Sequence, residues 1–300
     1  MKEKRFILYV LLISAAGLLL SAAVTFIVDP LQHYRKASFY QPVFKNQRYI
    51  NPGLARHYHY DTIILGASMT DNISTPEGDR LFRGQALKLS VDAATPYEIK
   101  LTFDSAVKTG KLRRAIIACD SINYGGPVDR LFYGPGSIPF YLYDDDPWND
   151  YKYLLNFDVV VNDIGAILRY NIIQRGTRFT DISRAYTWGD EYVYSKSQMM
   201  LNWGGSLDVR RTKQKIDKIS HQFVDNFEKN VYMPIASHPD IEFIIFFPPY
   251  SIARWLDIYR SGSLMQIINF NKYLITRLDT LKNCRSYYFQ DLEEITHSLD

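Results

Sequence analysis

Tyr60-Asp61-Thr62-Ile63-Ile64-Leu65-Gly66-Ala67-Ser68-Met69-Thr70 is a short, isoleucine-rich apolar run bounded by polar residues. It is too short for a helix and stops abruptly at Gly-Ala-Ser, so the pattern predicts a buried strand with Ser68 just past its carboxyl end. In open α/β sheets ligands bind at that position, where a following helix N-terminus offers free backbone N–H groups. A hydroxyl placed there is a candidate nucleophile. The same residue also suits a turn or a helix N-cap, where serine is favoured.

Two more strand exits follow at comparable spacing. Ala86-Leu87-Lys88-Leu89-Ser90 predicts a second strand, which runs into Val91-Asp92-Ala93-Ala94-Thr95-Pro96-Tyr97-Glu98. Thr95 as N-cap, Pro96 at the first helical position and Glu98 three residues after Thr95 form a capping box, with a helix to Thr109 stopped by Gly110. Leu112 to Asp120 predicts a third strand, leaving through Ser121-Ile122-Asn123. Strand and helix alternating at this spacing predict right-handed βαβ units, a parallel sheet and an α/β fold. Ser68, the 92–95 turn and the 120–123 turn then share one rim.

Further along, Pro76-Glu77 marks a helix start, and 150–175 carries helical periodicity. The polar stretch 176–203, bearing Tyr and Trp, predicts an insertion over the rim, of a length often used as a lid. Arg211 to about Met233 predicts a helix with Ile216, Ile219, Phe223 and Phe227 on one stripe. Ile241 to Phe247 reads as a fourth strand buried on both faces. A helix over 262–281 and a fifth strand at Ser286-Tyr287-Tyr288-Phe289 complete the pattern.

Before the first strand, the chain from Phe6 to Val28 is apolar without a charge, long enough at about 1.5 Å per residue to cross a hydrocarbon core. Lys2, Lys4 and Arg5 flank it, so the positive-inside bias places residues 1–5 in the cytoplasm and the domain after Val28 outside. The small residues Ser21-Ala22-Ala23 raise the alternative of a cleaved signal peptide. The apolar run exceeds a usual signal core, which favours an uncleaved, single-pass anchor in the cell membrane. Pro30 ends the helix, and the segment up to residue 59 reads as an irregular linker.

Net charge is +3 with scattered basic residues, which argues against nucleic acid as a partner. His57 and His59 share one side of an extended segment, but no third ligand recurs at metal spacing, so no metal is expected. Asp144-Asp145-Asp146 lacks the alternating ligands and glycine of a calcium loop and reads as a solvated turn. No cofactor motif appears. Cys119 and Cys284 fit neither a zinc knuckle nor a CxxC motif, and their positions leave a disulfide and two buried thiols both open.

Together Ile64-Leu65-Gly66-Ala67-Ser68, Leu89-Ser90-Val91-Asp92-Ala93-Ala94-Thr95, Asp120-Ser121-Ile122-Asn123 and the exit Phe247-Pro248-Pro249-Tyr250 resemble the blocks of the SGNH (GDSL-like) hydrolase superfamily. The similarity is to its membrane-anchored members, related to teichoic-acid D-alanylation proteins and to polysaccharide O-acetyl esterases and acyltransferases. It covers about residues 60–300, with an insertion at about 125–210. The resemblance implies a three-layer, flavodoxin-like parallel sheet with Ser68 as nucleophile. It also implies an oxyanion hole from Ser68 N–H, a backbone N–H at Ala94 or its neighbour Ala93, and Asn123. The substrate class implied is a cell-envelope glycan or small acyl ester, with a membrane acyltransferase as partner. Three features depart from the family: Ala67 replaces the acidic residue before the serine, the second block lacks its glycine, and the strict Asp-x-x-His motif is absent. The Asp-x-x-His motif is echoed only by Glu294-Ile295-Thr296-His297. Either Glu294 and His297 supply the orienting carboxylate and the base, or that pair lies beyond Asp300. The alternative to an enzyme is a catalytically silent binding or assembly protein in an envelope-polysaccharide pathway.

Overall fold

The computed structural model describes residues 2–175, 178–189, 195–203 and 218–297. In chain order the helices and strands are α1 (Lys2–Val28), α2 (Gln47–His57), β1 (Thr62–Leu65), α3 (Thr75–Phe82), β2 (Ala86–Lys88), α4 (Pro96–Val107) and β3 (Arg114–Ala118). There follow α5 (Tyr151–Leu154), α6 (Gly165–Leu168), α7 (Lys196–Trp203), α8 (His221–Phe227), α9 (Met233–Ala236) and β4 (Glu242–Phe247). The last are α10 (Ile252–Ser261), α11 (Leu264–Leu278), β5 (Cys284–Tyr288) and α12 (Glu293–Thr296). They form two compact units, Met1–Tyr58 with Ile138–Tyr186, and His59–Ser137 with Thr187–Asp300.

The second unit is built on a five-stranded, all-parallel sheet in the order β2-β1-β3-β4-β5. Because β2 is added on one side of β1 and β3 on the other, the order reverses between β1 and β3, which is where such sheets bind ligands. Right-handed crossovers put α3, on the leftward step, opposite the helices of the rightward steps. Phe103 of α4 packs on Phe243 of β4 with ring centroids 5.6 Å apart, on the face that carries Ile63 and Ala115. Arg114, pointing the other way, lies 4.4 Å over the Phe82 ring at the end of α3.

β4 differs from its sequence expectation. Phe243, Ile245 and Phe247 are fully buried, whereas Glu242, Ile244 and Phe246 between them are only half-buried. A continuous apolar run predicted cover on both faces, but only one face of this strand is fully packed. The helix expected over 262–281 is α11, and a further helix missed in the sequence, α10, precedes it and ends at Gly262, which adopts φ +78°. The predicted 211–233 helix runs from His221 to Ala236, through a π-helical turn at Glu228–Tyr232; residues 211–217, including Ile216, lie outside the described residues. Parts of the predicted insertion, 176–177 and 190–194, also lie outside them.

In the first unit, α1 is long and apolar enough to cross a membrane. The chain leaves it at Asp29, in the left-handed region with φ +49° and almost fully buried. The linker expected over 29–59 contains α2, hidden in the sequence by Pro52 and Gly53 inside it. Gly53 is required there, because a Cβ would run into the Leu31 and Gln32 carbonyls. His33 Nε2 lies 3.0 Å from Asp150 Oδ1, and Arg56 donates to His33 Nδ1 at 2.8 Å. Burial and then Arg56 hold the imidazole below its usual range, consistent with a neutral ring accepting at Nδ1 and donating at Nε2. Residues 138–186, expected within an insertion of the α/β domain, cluster with the N-terminal segment, because Ile167 and Tyr170 pack with Val43 and Val28.

Cys119 and Cys284 are both free. Cys284 pairs with Phe243 and Phe243 with Ala115, so Cys119 lies four residues farther along the sheet and two strands away. The offset of ~13 Å along the strands exceeds the reach of a disulfide.

Candidate functional site

Ser68 opens a 3-10 turn, Ser68–Thr70, three residues past the end of β1, and is half-buried. The turn is tight because Thr70 N–H and Thr70 Oγ1 both donate to Ala67 O, at 2.9 and 2.7 Å. Gly66 makes it possible: its φ is +152°, and a Cβ would stand 2.5 Å from Thr70 Cγ2 and 2.9 Å from Ala118 Cβ. Gly66→Ala is therefore expected to cost about 2–4 kcal/mol, combining backbone strain with overpacking. Denaturant unfolding measures it, and an unchanged midpoint would show that the turn is not held this way.

The three strand exits converge through the sheet. Beyond β2 the chain keeps pairing with β1, Leu89 N–H to Ile64 O at 2.9 Å and Val91 N–H to Gly66 O at 3.0 Å. Ala67, Val91 and Ala94 then pack as one buried cluster, which fixes the 92–95 turn against the Ser68 turn. Ala93 sits in the left-handed region, φ +50°, where glycine is ordinarily favoured. The capping box forms as predicted: Glu98 N–H donates to Thr95 Oγ1 at 3.2 Å, and Thr95 N–H to Glu98 Oε2 at 2.8 Å. On the other side of β1, register with β3 aligns Leu65 with Ile117, so the chain leaving β3 at Asp120 runs beside the Ser68 turn.

The sequence-predicted polar groups are placed as follows. Ser68 Oγ has no hydrogen-bond partner among the described residues, while Ser68 O accepts from Trp188 Nε1 at 3.0 Å. The Ala94 N–H is already engaged with Val91 O at 3.1 Å. Asn123 donates one amide hydrogen to Asp120 Oδ2 at 2.9 Å, leaving one. Asp120 also accepts from Tyr250 OH, and burial raises its carboxyl above the usual range. His297 is exposed at the end of α12, after β5. It lines a cavity of about 690 Å³ with Trp255, Tyr259, Ile268 and Tyr288. β5 is the third strand from β1, a separation of ~14 Å at ordinary strand spacing, so the sheet alone does not bring His297 to Ser68. Glu294 is exposed on α12.

Sequence reasoning passed over three neighbours of this turn. Asn72 Oδ1 accepts from Trp188 N–H and Gly189 N–H, both at 3.0 Å, so these two residues of the predicted insertion are held beside the Ser68 turn. Lys88 is buried, its Nζ donates to Asp71 O, and Ser90 Oγ donates to Asp71 Oδ1 at 2.5 Å. The sequence placed Lys88 only on the strand expected over 86–90 and gave it no role. Burial, partly offset by the Asp71 charge, lowers the Lys88 ammonium to about 8. Between pH 8 and 10 the unfolded chain then holds a proton that the native state has released, so this residue's contribution to stability rises with pH. Relative to Lys88→Met, the wild type is expected to gain up to about 2 kcal/mol over that window. Unfolding of both proteins at the two pH values measures the gain, and parallel curves would contradict it.

Among the described residues no group of His, Cys, Asp and Glu has the arrangement of a metal site. No family model matches the chain, and no curated protein and no solved structure matches it.

Proposed function

We propose that the chain is a membrane-anchored α/β protein of SGNH type, with a three-layer flavodoxin-like sheet. In this reading Ser68 is the nucleophile of an esterase or O-acyltransferase acting on acyl groups of cell-envelope glycans. The N-terminus lies in the cytoplasm and the sheet domain outside, where a membrane acyltransferase supplies or receives the acyl group.

The observation that carries this reading is the position of Ser68, a half-buried hydroxyl without a partner among the described residues, on a tight turn beside the reversal point of a 2-1-3-4-5 parallel sheet. Attack of Ser68 Oγ on an acyl carbonyl forms the acyl–serine bond and expels the alcohol. The oxyanion meets Ser68 N–H, the 92–94 turn and the remaining amide hydrogen of Asn123; losing one such donor costs on the order of a hundredfold. Water as acceptor makes the reaction hydrolysis, and a sugar hydroxyl makes it transfer. A neutral alcohol needs a base. His297, oriented by Glu294, takes that role only if the segment after β5 folds across the rim.

A second reading, ligand binding without turnover, is favoured by two observations. Ser68 Oγ meets no base among the described residues, and the Ala94 N–H is already engaged. A fluorophosphonate probe separates the two, since it labels only an activated serine. Labelling of the full chain, mapped by peptide mass spectrometry to Ser68, supports the enzyme; absence of labelling under conditions where the chain is folded supports the binding protein.

A further inference from the structure

The helical stretch 157–173 is apolar on both sides. Val159, Ile167 and Tyr170 are buried, with Ile167 and Tyr170 packed against Val43 and the last residue of α1, Val28. Phe157, Val161, Leu168, Ile172 and Ile173 are 76, 49, 55, 66 and 77% exposed. Four of these, at 157, 161, 168 and 172, recur at helical spacing and form a stripe along the outer side. A surface helix of a water-soluble domain carries polar residues there. Two apolar faces call for a second apolar medium.

The position of this stretch along α1 identifies the medium. α1 is exposed from Glu3 to Leu20 and becomes partly covered from Ser21 onward, where it contacts α5 and the turn Val159–Ile164. The exposed apolar part, Phe6 to Leu20, spans only about 22 Å, against a hydrocarbon core of about 30 Å. Lys2, Lys4 and Arg5 hold the far end at the opposite surface, so the remaining ~8 Å of hydrocarbon falls on the turns that α5 and residues 159–164 embrace. Interfacial helices insert their apolar face about 5–10 Å into the headgroup and acyl boundary, the same depth. Asp158, Asn162 and Arg169, all exposed on the same stretch, supply polar groups for the headgroup side.

We infer that residues 157–173 lie in the membrane interface, with Phe157, Val161, Leu168, Ile172 and Ile173 inserted in the leaflet on the side of the sheet domain. The inference rests on α1 crossing the bilayer, as proposed above, and goes beyond it by assigning a second lipid contact that sets the membrane-proximal unit against the surface.

The test uses the full chain in phosphatidylcholine–phosphatidylglycerol nanodiscs with Cys284→Ser as background, the remaining Cys119 being buried. An environment-sensitive fluorophore is placed at Ile172→Cys or at Leu12→Cys. Nitroxide lipids labelled near the headgroup are expected to quench the Ile172 label at least about twofold, as an interfacial depth requires, and deep nitroxides the Leu12 label. Quenching at Leu12 without quenching at Ile172 overturns the interfacial helix while leaving the span in place. No quenching at either site overturns both. An Ile172 label shielded from aqueous iodide only when two chains share a disc, and unquenched by lipid, overturns it in favour of self-association.

Discussion

Ser68→Ala is expected to lower turnover of an acyl ester such as p-nitrophenyl acetate by about 10³-fold or more, with stability unchanged within about 0.5 kcal/mol. The two halves of this expectation come from different atoms. Ser68 Oγ has no hydrogen-bond partner among the described residues, so deleting it removes no structural contact seen there. The bond that ties the rim insertion to this turn, from Trp188 Nε1, goes to the backbone oxygen, which alanine retains. A nucleophile acts as a unit with its base and oxyanion donors, so its loss forfeits most of the acceleration. Steady-state kinetics and thermal unfolding of the same preparations measure both. Turnover that survives the substitution would remove Ser68 from the chemistry, whatever else the rim does.

The largest expected effect on stability lies at the other unit. Asp29→Ala is expected to destabilise the unit that contains α1 by about 3–5 kcal/mol, because removing a buried carboxylate strands every donor it serves. Asp29 Oδ1 accepts from His33 N–H and Tyr153 OH, and Oδ2 from Tyr34 N–H and Arg35 N–H, all at 2.9 Å. Three consecutive backbone N–H groups thus converge on one side chain at the point where the chain leaves α1. Tyr153, fully buried, bridges further by accepting from Leu31 N–H at 3.2 Å. Alanine leaves three amides and a phenol without an acceptor, and it also places a residue with no side-chain hydrogen bond at a positive φ. Asp29→Asn keeps one acceptor oxygen and is expected to fall between the two. Protease resistance of residues 29–58 and 138–175, followed against temperature in detergent, measures the effect, and an alanine variant as resistant as wild type would show that this cluster does not hold the unit together.

Local chemistry was legible in the sequence wherever a few neighbouring residues decide it. The Thr95–Glu98 capping box, the strand ending at Gly66 and the apolar span ending before Asp29-Pro30 all depend on contacts within a few residues. Their composition and spacing therefore specify them. Helix α2 was not legible, because Pro52 and Gly53 argue locally against it, and only the approach of the Leu31 and Gln32 carbonyls gives Gly53 its reason. The docking of Trp188 on Ser68 joins residues 120 positions apart, a pairing that no periodicity encodes.

The amino-acid sequence by itself determined an α/β chain with one long apolar helix and a serine just past a strand. The tertiary structure decided the strand order, which sets β1 beside β3 at the reversal point and β5, the strand before His297, three strands from β1, and it left one face of β4 half-covered. The physical reason is that strands and caps are fixed by short-range sterics and hydrogen bonds. Which strand lies next to which depends instead on long crossovers and on apolar faces that are buried only when distant segments meet.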